Sequence, residues 1–174
     1  MTTAPEAASS SLVVLHPDAP LLAQATASRL LITMLDAQSM RTPVHVVLTG
    51  GAMGIRTLEA VAGNPLRDLI AWEEVHLWWG DERFLPTGHA GRNGTQARKA
   101  LLRHLPLDPA HIHPVAGPDV AANAEAAAAA YADELASHAA AGAQLPDFAV
   151  GLLGVGSDGH VASLFPHHAT PEVT

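Results

Sequence analysis

Residues Gly154 to Pro166 read G-V-G-S-D-G-H-V-A-S-L-F-P, and they overlap the end of an apolar run, Phe148 to Val155, of the right length for a buried strand. Three glycines, Gly154, Gly156 and Gly159, punctuate the stretch. Glycine lets the backbone take positive φ or come close to a ligand. Between and after them stand one carboxylate, Asp158, and one imidazole, His160. The sequence thus sets an acid and a base on a tight loop after a strand. In open α/β sheets, ligands bind outside the carboxyl ends of the strands, so this loop is read as the chemical centre. Taken alone it fits equally well an ordinary strand-to-helix connection with Asp158 as a helix N-cap. Two other strands with unusual endings weigh toward function.

The first is Val44 to Leu48, near-continuously apolar, as expected of a strand covered by helices on both faces. It runs into Thr49-Gly50-Gly51-Ala52 and then a helix from Met53 to Val61. Strand, two glycines and helix is an arrangement that aims backbone N–H groups at an anion. It matches neither the G-K-[ST] phosphate loop nor the G-x-G-x-x-G dinucleotide fingerprint. It reads either as a plain turn or as a cradle for a phosphate or carboxylate. The second is Val75 to Trp79, which ends in Gly80-Asp81-Glu82-Arg83 and continues through Phe84-Leu85-Pro86 to Asn93. Two acids and an arginine directly after a buried strand are costly to leave unpaired. Either Asp81 and Arg83 form a structural ion pair, or Arg83 faces a ligand anion while Asp81 or Glu82 orients it. Arginine suits bidentate contacts to phosphate or carboxylate.

The rest of the chain alternates in the same way. Leu12 to His16 reads as a first strand, and Asp18 as the cap of a helix to about Ala37 with Leu22, Ala25, Leu30 and Met34 on one face. Asn93 to Leu105 reads as a helix capped by Asn93. Pro106 to Gly117 reads as irregular, and its His111 and His113 as solvent-facing or satisfied in the core rather than metal-binding. Asp119 to Ala141 reads as an alanine-rich helix with Val120, Ala124, Ala127, Tyr131 and Leu135 on one face, stopped by Gly142. Strands alternating with helices predict an α/β fold with a mainly parallel sheet and right-handed crossovers. The three unusual loops then fall at one edge of that sheet.

Composition bounds the function. The chain of 174 residues, 48% hydrophobic and 15% charged, supports one α/β domain over residues 12–174 with a real core. Residues 1–11, rich in Ala, Ser, Thr and Pro, read as a disordered N-terminus without signal-peptide character. A net charge of −8 argues against a nucleic-acid partner, while a small anionic ligand held by local groups is compatible with it. Cysteine is absent, so disulfides and thiolate chemistry are excluded. No run reaches the ~18 apolar residues of a membrane helix, so no membrane partner is expected and the cytoplasm is the default. The histidines form no zinc signature such as H-E-x-x-H, so no metal is expected; the glycine turn lacks the spacing and the acidic ribose partner of a dinucleotide site, so no nucleotide cofactor is expected. The chain stops at Thr174, soon after its most site-like loop, and reads as truncated at the C-terminus.

Three motifs together resemble the 6-phosphogluconolactonases of the glucosamine-6-phosphate isomerase-like superfamily. They are T-G-G at 49–51, W-G-D-E-R-F-L-P at 79–86 with R-N at 92–93, and G-x-G-x-D-G-H-x-A-S-L-F-P at 154–166. The resemblance implies a Rossmann-like three-layer fold and cofactor-free hydrolysis of 6-phosphogluconolactone, in the oxidative pentose phosphate pathway. The small phosphorylated sugar lactone would be the sole partner. It implies His160 as general base, Asp158 orienting the ring or the water, and Arg83 binding phosphate or stabilising negative charge. Gly50, Gly51 and Thr49 would hold the phosphate or sugar, with Asp81 and Gly156 lining the site. The family's glycine turn carries hydroxyls where Ala52 and Met53 stand here, and its members run well beyond Thr174. The sister amino-sugar-phosphate isomerases and deaminases share G-x-G-x-[ND]-G-H but lack A-S-L-F-P. A non-catalytic sugar-phosphate-binding domain is the alternative from another class.

Overall fold

The computed structural model describes residues 11–166. The expected disorder of residues 1–11 falls, except at Ser11, outside the described residues, as do His167 to Thr174. The elements in order are α1 (Ala19–Met40), β1 (Val44–Leu48), α2 (Gly51–Ala62), β2 (Val75–Trp79), α3 (Asn93–Ala100), α4 (Ala124–Ser137) and β3 (Phe148–Gly151), with short 3-10 turns between them. The strands form one parallel sheet in the order β2-β1-β3. β1 and β2 pair without a slip, from Val44 opposite Val75 to Leu48 opposite Trp79. This is the α/β, Rossmann-like arrangement expected.

Side chains alternate across a strand, and that alternation sorts the two faces. Val44, Val46 and Leu48 of β1 and Val75, Leu77 and Trp79 of β2 join Leu30, Leu31 and Met34 of α1 and Leu58 and Val61 of α2 in one core. Fully burying such an aliphatic side chain contributes about 1.5–3 kcal/mol. His45, His76 and Trp78 point the other way, toward α4. β2 is buried at every position because both of its faces are covered. Tyr131 of α4 fastens that second layer: its hydroxyl accepts from Trp79 N–H at 2.9 Å and donates to Trp79 C=O at 3.2 Å. Among the described residues no helix is long and apolar enough to cross a membrane.

Several expected elements differ. Leu12 to His16 is not a strand; Leu12, Val13 and Leu15 are 84%, 81% and 88% exposed. An apolar run becomes a strand only where a neighbouring edge completes its ladder, and no described strand pairs with it. The first helix starts where expected, with Asp18 accepting from Leu21 N–H at 2.8 Å, but runs on to Met40. Of its expected inner face, Leu30 and Met34 are buried while Leu22 is 37% exposed. α4 is shorter than expected because Asn123, not Asp119, caps it, accepting from Ala126 N–H at 2.8 Å. Val120 accordingly lies outside the helix and is 74% exposed. α3 ends at Ala100, and a 3-10 turn over Leu102–His104 carries the remainder. β3 stops at Gly151 rather than Val155.

Candidate active site

Beyond β3, the N–H of Leu152 still donates to Val47 C=O at 2.9 Å, and the chain then leaves the sheet. Val155, Val161 and Leu164 close it into a compact loop through isolated antiparallel bridges. Gly156 N–H donates to His160 C=O at 2.8 Å, and Gly159, at φ +87°, supplies the left-handed turn. Ala162 also sits at positive φ, +52°. A non-glycine residue there stores strain of roughly 1–3 kcal/mol, a feature that clusters at functional sites.

Three contacts fix the His160 imidazole. Its Nδ1 lies 2.5 Å from Asp158 Oδ1, which also accepts from the His160 backbone N–H at 3.2 Å. The Phe165 ring stacks on it at a centroid distance of 4.8 Å. On the third side lies Gly156, where a Cβ would stand 2.2 Å from ring atoms Cε1 and Nδ1. The hydrogen bond from His160 holds the Asp158 carboxyl below the usual carboxylate range. The carboxylate therefore keeps the proton on Nδ1 and leaves the Nε2 lone pair available.

The β1–α2 turn has the anion-cradle form. Gly50 stands at the N-cap of α2 without a side-chain cap, so the first-turn N–H groups have no side-chain acceptor there. Gly51 follows at φ +75°. Gly50 has a different reason to be glycine: a Cβ would meet Asn93 Oδ1 at 1.9 Å. The first two strand ends are thus in contact.

The β2–α3 loop resolves its charges in neither of the two expected ways alone. Asp81 and Arg83 do not pair. Glu82 takes the structural role: Oε1 accepts from Asn93 N–H at 2.7 Å and Arg83 N–H at 2.9 Å, and Oε2 from Gly94 N–H at 2.9 Å. Glu82 also pairs with Arg92 Nε at 3.5 Å, with both side chains about 95% or more buried. A carboxylate at a helix N-terminus satisfies its orphan donors and its dipole together. Arg92, rather than Asn93, occupies the N-cap, and it donates onward to Leu85 C=O at 2.8 Å and to Val115 C=O. Asn93 instead donates its amide to Asp81 C=O at 3.0 Å. Arg83 is exposed and makes no ion pair among the described residues.

A cleft of about 680 Å³ opens where these loops meet. Thr49, Gly50, Gly51, Asp81, Arg83, Gly156 and His160 all line it. Asp158 reaches it only through His160. Asn93, which sequence reading treated as a helix cap, is on the wall as well; its signal was the R-N pair following the W-G-D-E-R run. A second, more open cleft of about 880 Å³ shares Gly51, Arg83 and Asn93 and adds Arg56, Lys99 and Arg103. Among the described residues no metal-binding trio lies on either cleft; the one such group is His76, His113 and His138, on the α4 face.

The sequence profile of the family described as Glucosamine-6-phosphate isomerases/6-phosphogluconolactonase matches residues 17–174. The chain belongs to this family. A 6-phosphogluconolactonase of Streptomyces coelicolor is 52% identical over 90% of this chain and 61% of its own length. One of Mycobacterium tuberculosis is 41% identical over 91% of this chain and 64% of its own. Among solved structures, the 6-phosphogluconolactonase from Trypanosoma brucei superposes with a TM-score of 0.72 at 28% identity, covering 89% of this chain and 63% of that one. The chain therefore spans about three-fifths of the length of these family members.

Proposed function

We propose that the protein hydrolyses 6-phospho-D-glucono-1,5-lactone to 6-phospho-D-gluconate, a step of the oxidative pentose phosphate pathway, in the cytoplasm and without a cofactor. The observation that carries this is the Asp158–His160 pair, held at 2.5 Å, with His160 on the same cleft as the uncapped start of α2 and Arg83. His160 Nε2 takes a proton from water as the oxygen attacks the lactone carbonyl carbon. Asp158 keeps the imidazole in the required tautomer and stabilises the imidazolium that forms. The tetrahedral intermediate then expels the ring oxygen, which takes the proton back from His160. No nucleophilic side chain is needed, since a lactone is already an activated ester. Arg83 and the Gly50–Gly51 amides hold the phosphate, with Thr49 and Asp81 beside them, which leaves the lactone end toward His160. The A-S-L-F-P run, whose Phe165 backs the catalytic ring, supports the lactonase reading over the amino-sugar-phosphate one.

The test is lactone hydrolysis by the protein expressed from its complete reading frame, coupled to 6-phosphogluconate dehydrogenase, with spontaneous opening subtracted. Loss of a general base costs about 10²–10⁴-fold, so His160→Ala loses at least about 10²-fold in kcat and Asp158→Asn loses less. Near-normal kcat in His160→Ala sinks the mechanism. Arg83→Ala weakens 6-phosphogluconate binding much more than gluconate binding; an equal loss moves Arg83 to an oxyanion or structural role.

A further inference from the structure

Five histidines from four separate stretches of the sequence, His45, His76, His111, His113 and His138, gather on the α4 face of the sheet. We propose that three of them, His76, His113 and His138, form a binding site for one divalent transition-metal ion of the zinc class. Each comes from a different piece of the fold. His76 is on β2. His113 belongs to the segment that adds to the outer edge of β2, where its N–H donates to Leu77 C=O at 2.9 Å. His138 closes the C-terminal end of α4. One ligand nitrogen from each lies within 4.8 Å of the others, and His76 Nδ1 and His113 Nε2 are 2.9 Å apart. Zinc–imidazole bonds of 2.0–2.1 Å in a tetrahedron separate the nitrogens by about 3.3 Å, so small side-chain adjustments complete the site.

The surroundings are those of a ligand set rather than of surface histidines. His76 and His113 are 7% and 2% exposed, and His113 lies flat on the Trp78 indole at 3.7 Å. Glu134 orients two of the three rings. Its carboxylate accepts from His113 Nδ1–H at 2.6 Å, and its backbone C=O accepts from His138 Nδ1–H at 3.0 Å. Carboxylate and carbonyl acceptors on the far ring nitrogen are what hold metal-ligating histidines in their tautomer. Both rings are left with bare Nε2 atoms. In the metal-free protein His76 Nδ1–H donates to His113 Nε2; on binding, that proton shifts to His76 Nε2 and both facing nitrogens turn to the metal. Three neutral imidazoles favour zinc, cobalt, nickel or copper over magnesium or calcium. The site lies beside the amino ends of the strands, away from the cleft at their carboxyl ends, and it ties α4 to β2. Three protein ligands leave the fourth position to water, and the site is separate from the cleft that holds His160.

The experiment titrates ZnCl₂ into tag-free, chelator-stripped protein by calorimetry, with Co²⁺ absorption reporting coordination geometry. The expected result is saturable binding of one ion per chain, a tetrahedral Co²⁺ spectrum and a raised Tm. His138→Ala abolishes all three. Glu134→Gln, which leaves the ligands in place, weakens binding about 10–100-fold. His160→Ala leaves binding unchanged. No saturable binding, binding indifferent to both His138→Ala and Glu134→Gln, or binding lost in His160→Ala overturns the assignment; the last would place the metal on the cleft.

Discussion

Gly156→Ala is the sharpest test of how the loop positions its base. Gly156 is not at positive φ, so alanine costs nothing in backbone strain and its effect is steric. The added Cβ would stand 2.2 Å from His160 Cε1 and Nδ1 and 2.7 Å from Asp158 Oδ1. Carbon atoms settle at about 3.5–4.0 Å, so the ring must retreat by more than about 1 Å. A retreat of that size away from Asp158 takes the His160–Asp158 hydrogen bond, 2.5 Å in the native loop, to the ~3.5 Å limit of such bonds. Misplacing a catalytic group by about 1 Å can cost about 10²-fold, and that is the expected fall in kcat. Tm should barely move, because the loop contributes nothing to the buried core. Gly154→Ala is the matched control. Its Cβ would meet Thr49 Oγ1 at 3.6 Å, an ordinary contact, so its kcat should stay within a few-fold of the parent. Coupled lactonase assays at saturating substrate read both. A Gly156→Ala enzyme within about 3-fold of the parent, or a Gly154→Ala enzyme that falls as far, refutes the reasoning.

Glu82→Gln should destabilise the fold by about 3–5 kcal/mol in urea titrations, because it strips the buried Arg92 guanidinium of its carboxylate and turns an amide toward the N–H groups of α3; a loss under about 1 kcal/mol would show that Arg92 is held by its carbonyl partners alone. Burial holds the Tyr131 hydroxyl up at about 12 against an ordinary 10. The unfolded chain therefore loses this proton first. Stability is unaffected below about pH 10 and falls by up to about 1.4 kcal/mol per pH unit between 10 and 12. Tyr131 is the single tyrosine in the chain, so tyrosinate absorbance reads it directly and should rise together with loss of the far-ultraviolet circular dichroism. Ionisation near pH 10 with the fold intact would contradict the buried pairing with Trp79.

β1 and β2 were legible to the residue, since V-H-V-V-L and V-H-L-W-W are short apolar runs with a turn or polar loop on each side. The meeting of three strand ends was legible too, because parallel topology forces it. What was not legible depends on partners distant in sequence. Leu12 to His16 has strand composition but no described edge to pair with, and composition is silent about edges. Asp81, Glu82 and Arg83 offered several pairings, and the choice fell to Glu82 because the start of α3 presents two backbone donors within its reach. The histidine cluster was invisible for a similar reason: no spacing joins positions 45, 76, 111, 113 and 138. The β1–β2 register sets His45 beside His76, the bridge from Ile112 to Leu77 brings His111 and His113 alongside, and the end of α4 adds His138.

The glycines show how a chain of net charge −8 can hold an anionic ligand. Bulk charge repels a phosphate, so attraction must come from groups placed on one wall. Gly50 lets Asn93 approach, which draws the loop that carries Arg83 toward the start of α2. Gly51 then turns the chain at positive φ into that helix. Arg56, Lys99 and Arg103 extend the same positive wall into the adjoining cleft. Gly156 acts on the base itself, where its missing Cβ leaves room for the His160 ring beside its carboxylate. His160 and the anion-holding groups thus line one cleft, as a substrate carrying both a phosphate and an ester requires. Swapping the two ends would put the lactone beside Arg83, away from His160, the histidine that lines this cleft.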